Sequence, residues 1–177
     1  NFTGQISTRG AVISAWHMKR YRDAAENSIN MIPANSGGML SLCIDRLDLD
    51  TASFATTSLD IVNLSASDTI KFTYTSPDGM QIEKGFCLNK DSYELGFYFT
   101  VKGTKAEEYT LGWKAGIVET EKDIDAKYAD DPIGIYYGDD VDHPVKKDDT
   151  TKEIEGSTKW ISLKSKYFSG TILPYEQ

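Results

Sequence analysis

The side chains with the most chemical reach in this 177-residue sequence are few: two histidines, His17 and His143, and two cysteines, Cys43 and Cys87. Catalytic or structural zinc takes three or four clustered ligands, and these four residues show no such spacing. Forty-four positions separate the cysteines, which is neither a CxxC redox pair nor a zinc motif; they are a bridge or two free thiols. His17 follows Trp16 near a strand end and His143 precedes Pro144 in an acidic loop, so both read as surface residues. There is no GxSxG elbow, phosphate loop or dinucleotide fingerprint. Gly138-Asp139-Asp140-Val141-Asp142 supplies acids for calcium, but lacks the alternating ligands, central Gly and distal Glu of a calcium loop. The residues therefore predict no catalytic group, no cofactor and no metal site.

Period-two alternation with turn residues at short intervals predicts an all-β, mainly antiparallel fold with one or two short helices. The clearest unit runs from Thr69 to Gly103. Ile70, Phe72 and Tyr74 share a face, Ser76-Pro77-Asp78-Gly79 turns the chain, and Ile82, Phe86 and Leu88 return on one face. Lys84 falls on that apolar parity. After Asn89-Lys90-Asp91, Tyr93, Leu95, Phe97, Phe99 and Val101 complete a three-stranded meander. Further strands are expected over Ile6 to Met18, broken by Gly10, and over Met39 to Ile44, Tyr109 to Val118 and Ile133 to Tyr137. A polar helix is expected from Glu119 to Tyr128, with acids in its first turn. By parity both cysteines lie off the main apolar face.

At 19.7 kDa, with 40% hydrophobic and 26% charged residues, the chain reads as one globular domain able to bury a core without metal or disulfide. No apolar run reaches membrane-spanning length, so the piece reads as soluble, and its abrupt start at Asn1-Phe2 as that of a piece excised from something longer. The net charge of −8 argues against nucleic acid as a partner. The excess lies in Glu119 to Glu155, with thirteen acids against five bases; the remainder has fourteen of each. That stretch reads as a solvated insertion.

The terminal segment Lys159 to Pro174, KWISLKSKYFSGTILP, has no acid. Lys159, Lys164 and Lys166 stand among Trp160, Ile161, Leu163, Tyr167, Phe168, Ile172 and Leu173. Its pattern predicts strand, short helical turn, strand. It is either an ordinary closing strand or an element facing a membrane or a partner, because Trp, Tyr and Lys together suit a lipid–water interface. Trp160, Tyr167 and Phe168 are its expected centre, and the three lysines its expected contacts with head groups or a partner.

This segment resembles the end of the large periplasmic domain of the bacterial membrane protein insertase YidC. Family members carry a Trp, a short apolar stretch, a Tyr-Phe pair, then small and apolar residues closing on Ile-Pro or similar. Here these are Trp160, Ile161 and Leu163, Tyr167-Phe168, and Ser169 to Pro174, with Leu173 in place of the usual Ile. Ile6 to Asp23 is similar to the family's opening strands, and Thr69 to Gly103 to its central hairpins. The acidic stretch and the two cysteines depart from the pattern.

The resemblance implies a β-supersandwich, similar to sugar mutarotases and carbohydrate-binding domains. It implies a single domain over 1–177, between the first and second transmembrane helices of a multi-pass protein, on the periplasmic face of the inner membrane. Its implied partners are the Sec translocon with its accessory subunits, and substrate membrane proteins. The family's working groove lies in the transmembrane core, outside this chain, so no catalytic residue carries over and a non-catalytic scaffold is implied. The alternative is a carbohydrate-binding or mutarotase-like module, which would need a His–carboxylate pair in a cleft. A third reading is a holdase that takes extended peptide along a sheet edge.

Overall fold

A computed structural model describes residues 1–23, 25–58, 60–118, 120, 133–143 and 153–175. The chain divides into two compact units, Asn1–Arg22 with Ser28–Ala115, and Asp23–Asn27 with Gly116–Gln177.

The first unit holds two antiparallel sheets. One contains β1 (Phe2–Ser7), β2 (Val12–Arg22), β3 (Ser28–Asn30), β4 (Met39–Ile44), β5 (Leu47–Asp48) and β9 (Tyr109–Trp113). The other is the predicted meander of β6 (Ser67–Thr75), β7 (Gln81–Asn89) and β8 (Leu95–Lys102). Its turn closes as the sequence suggests: the Gly79 N–H donates to the Ser76 carbonyl at 3.0 Å, and Gly79 has φ 91°. The register then runs without a shift from Ser67 opposite Asn89 through β7 to Leu88 opposite Leu95.

The core lies where the apolar rows of the two sheets meet. Ile13, Leu42 and Ile44 from the larger sheet and Phe72, Ile82 and Phe86 from the meander belong to one buried cluster. The Phe72 and Phe86 rings meet edge to face at 5.7 Å, and Phe97 adds to Phe86 at 5.2 Å. Phe72 and Phe86, both buried, each contribute about 2 kcal/mol. The result is the all-β, antiparallel sandwich that alternation predicts.

The second unit has a four-stranded antiparallel sheet of β10 (Ile133–Tyr137), β11 (Asp140–Asp142), β12 (Thr158–Lys164) and β13 (Ser169–Ile172), in the order β11-β10-β12-β13. None of its described residues is fully buried.

The stretch from Ile6 to Met18 is interrupted around Gly10, as expected, into β1 and β2. Two local expectations change. The strand expected over Tyr109 to Val118 stops at Trp113. Its partner β4 begins at Met39, opposite Trp113; the Ala115 N–H still donates to the Gly38 carbonyl at 3.1 Å, but Gly37 and Gly38 have φ of 83° and 78°, outside the extended region, so the ladder ends there. Between the terminal strands there is a bend and no helical turn, because Lys164 pairs with Ser169 and the Ser165 N–H donates to the Phe168 carbonyl at 2.7 Å. No helix occurs among the described residues, and the helix expected over Glu119 to Tyr128 lies outside them.

Candidate functional site

The terminal segment folds into the β12–β13 hairpin, with β12 as an inner strand between β10 and β13. Side chains directly opposite one another share a face. One face carries an aliphatic row, with Ile161 between Ile135 and Ile172, and Leu163 between Ile133 and Gly170. The other face carries Trp160 opposite Tyr136, their ring centroids 6.0 Å apart.

A bulge makes Lys159 the extra residue between Trp160, which pairs with Tyr136, and Thr158, which pairs with Tyr137. Its Nζ sits 4.6 Å from the Tyr136 ring centroid, donates to the Tyr136 hydroxyl at 3.3 Å and lies 3.9 Å from an Asp139 carboxylate oxygen.

The candidate residues therefore separate. Lys164, Lys166, Tyr167 and Phe168 gather at the hairpin tip, where Lys166 Nζ lies 5.0 Å over the Tyr167 ring and Tyr167 is 63% exposed. Lys159 and Trp160 sit toward the opposite end of β12, with Leu173 and Pro174 following β13 back toward them. At about 3.4 Å per residue, Lys159 and Lys164 are roughly 17 Å apart. Leu163 and Ile172 lie on the strands between. Leu173 is 67% exposed.

The other chemically capable residues do not assemble. His17 lies within β2, half-buried, with its Nδ1 3.3 Å from the Ser28 hydroxyl. His143 is exposed just after β11, and Gly138-Asp139 forms the β10–β11 turn. Cys43 and Cys87 are unbonded, on β4 and β7 of different sheets; Cys87 Sγ accepts from the Thr69 hydroxyl at 3.4 Å. Both lie off the buried face, as parity predicts. Among the described residues no three His, Cys, Asp or Glu side chains converge. An open depression of about 630 Å³ on the meander is lined by Asp68, Thr69, Cys87 and Glu94 among others, with no base beside them.

Two charged arrangements stand out. On the outer face of the meander, Lys71 pairs with Glu83 at 3.2 Å and the Tyr98 hydroxyl donates to Glu83 at 3.0 Å. Lys71, followed by the tyrosine hydroxyl, holds the Glu83 carboxyl below its ordinary range. The Tyr98 ring lies over Gly85, where a Cβ would overlap it.

On the inner face, Lys84 is 0% exposed. Its ammonium donates to the carbonyls of Gly10 at 2.8 Å, Ala11 at 3.1 Å and Leu40 at 2.8 Å. Ala11 and Leu40 have φ of 44° and 65°, a region unusual for side-chain-bearing residues. Burial lowers the Lys84 pKa to about 8, with the negative charge of Asp50 acting the other way. The parity of Lys84 with Ile82 and Phe86 was the only local sign of this strut; its three acceptors are over forty residues away in sequence.

A model of the family described as the YidC periplasmic domain matches residues 1–177. The chain is 27% identical, over 98% of its length, to a protein of Prosthecochloris aestuarii named membrane protein insertase YidC. Proteins of the same name from Chloroherpeton thalassium and Syntrophus aciditrophicus are 27% and 26% identical over 99% and 96% of the chain. The chain spans about a third of these relatives, 32%, 32% and 34% of their lengths. No solved structure matches the chain significantly.

Proposed function

The chain belongs to the family of YidC periplasmic domains, and from that premise we propose that it is the non-catalytic periplasmic domain of a membrane protein insertase. In this reading it stands on the periplasmic face of a bacterial inner membrane. It is a scaffold and interaction surface for the Sec translocon, its accessory subunits and the membrane proteins being inserted. The observation that carries the reading is a family match over all 177 residues, together with relatives about three times as long that are named insertases.

The terminal hairpin is the element best suited to the membrane side. No helix of the described residues is long and apolar enough to cross a bilayer. The hairpin tip combines an exposed tyrosine with Lys164 and Lys166. Aromatic rings and lysine stems sit well at the head-group level, and each lysine is attracted to an anionic leaflet that repels the acids elsewhere on this chain.

The test is made in the full-length parent protein. Removing Lys159 to Pro174 would delete an inner strand and collapse its sheet, so point changes are the cleaner probe. Replacing Lys159, Lys164 and Lys166 together by Gln keeps the strands and removes the charges. Impaired insertion of a substrate membrane protein is expected, and full complementation by the triple variant would remove the hairpin from the proposal.

A further inference from the structure

An open sheet edge offers unpaired N–H and C=O groups to any extended chain, and folded proteins shorten, bend, charge or cover such edges. Most edge strands among the described residues follow that rule: β3, β5 and β9 are three, two and five residues long, and β9 has a register shift against β4 at Met39/Ser41. β11 and β13 are three and four residues long, and β1 is broken by a register shift at Gln5/Ile6. β6 is covered at Thr73, which exchanges two 2.8 Å hydrogen bonds with Ala55.

The clearest exception among the described strands is β8. It runs for eight residues, pairs only with β7 among the described residues and has no register shift. From Leu95 to Val101 it has neither charge nor proline, and it is rich in aromatic residues. Its core-facing side chains, Leu95, Phe97, Phe99 and Val101, remain half-exposed.

We propose that the free edge of β8 is an interface with a second copy of this chain, the two β8 strands pairing antiparallel about Tyr98. The inference is independent of the insertase reading. It rests on how the strand complements itself. Core-facing residues of one copy meet core-facing residues of the other only in registers centred on a residue of the strand. Centred on Tyr98, Leu95 lies opposite Val101, Phe97 opposite Phe99, Gly96 opposite Thr100, and Glu94 opposite Lys102. Moving the centre to Phe97 or Phe99 sets Lys102 against Ser92 or Gly96 instead. The Tyr98 register alone among these three matches opposite charges, and the two-fold makes the match twice. Glu94 and Lys102 are both exposed and have no ion pair among the described residues. The two Tyr98 side chains do not collide, since each reaches over its own Gly85 to Glu83, away from the edge.

Sedimentation equilibrium of the 177-residue chain over a range of concentrations tests this, with Glu94→Lys, Lys102→Glu and the double exchange alongside. Both positions are exposed, and circular dichroism confirms that each variant keeps its strands. The parent sequence is expected to dimerise. Each single variant replaces two attractive pairs by two repulsive ones and should dimerise about tenfold more weakly. The double exchange should restore the parent's dimerisation. A chain that stays monomeric at every concentration overturns the proposal, as does a dimer indifferent to the single variants. A monomer whose β8 edge instead takes up an extended peptide overturns it as well.

Discussion

Lys84 places a charged amine inside the sandwich, and three backbone carbonyls are what make its burial tolerable. Methionine of similar length would fill the same space but donate to none of them. The loss of three acceptors' partners outweighs the relief of burying no charge, and Lys84→Met should destabilise the chain by about 2 kcal/mol in urea unfolding at pH 7. The pH dependence has a definite sign. Burial lowers the folded-state pKa from 10.5 to about 8, so between these values the unfolded chain holds a proton that the folded chain has released. Stability contributed by this group therefore rises with pH across that window. The difference between parent and Lys84→Met, measured at pH 7 and again near the top of the window, should widen. A constant difference would mean that Lys84 titrates normally.

The terminal hairpin shows what strand geometry does to a sequence cluster. Three lysines within eight residues look like one basic patch. A strand extends them: Lys164 and Lys166 go to the tip, and Lys159 stays at the far end, held by Tyr136 and Asp139. If the tip meets lipid head groups, its two lysines contribute about 1 kcal/mol each near an anionic surface. In co-sedimentation with anionic vesicles at low salt, Lys164→Gln/Lys166→Gln should bind about 30-fold more weakly, and Lys159→Gln should bind like the parent. Equal losses in both would show that charge acts without regard to position on the hairpin. The strands themselves were legible where apolar and aromatic residues run between turn signals: β4 and β10 have the bounds that the sequence predicts, and so does the body of the meander. The illegible parts depend on a distant partner. Ile117 continues the parity of Trp113, yet β9 stops where Gly37 and Gly38, at positive φ, turn the partner chain out of the extended conformation. The terminal bend is fixed by Lys164 meeting Ser169, not by local propensity.

At the scale of the whole chain, the family was legible from the terminal Trp160 to Pro174 run and the opening and central strands, and the family match extends over every residue. The site was less so. The sequence assembled its candidate residues by proximity along the chain, whereas Lys84 and the self-complementary edge of β8 emerge only once strands are paired. The distribution of the core also emerges only then. Every buried apolar side chain among the described residues falls between Ala11 and Ala115, and both sheets of the first unit are complete by Trp113. The described part of Gly116–Gln177 has exposed or half-exposed side chains throughout. Hydrophobic burial is the main favourable term in folding, so autonomy should follow it. A chain of residues 1–115 is expected to unfold cooperatively in urea with dispersed amide resonances, because it keeps the whole of the buried cluster. Residues 116–177 alone are expected to show neither property. A fragment 1–115 without cooperative unfolding would mean that the sandwich draws its stability from the remainder of the chain, and a folded 116–177 would mean that its four-stranded sheet is stable without the core of the first unit.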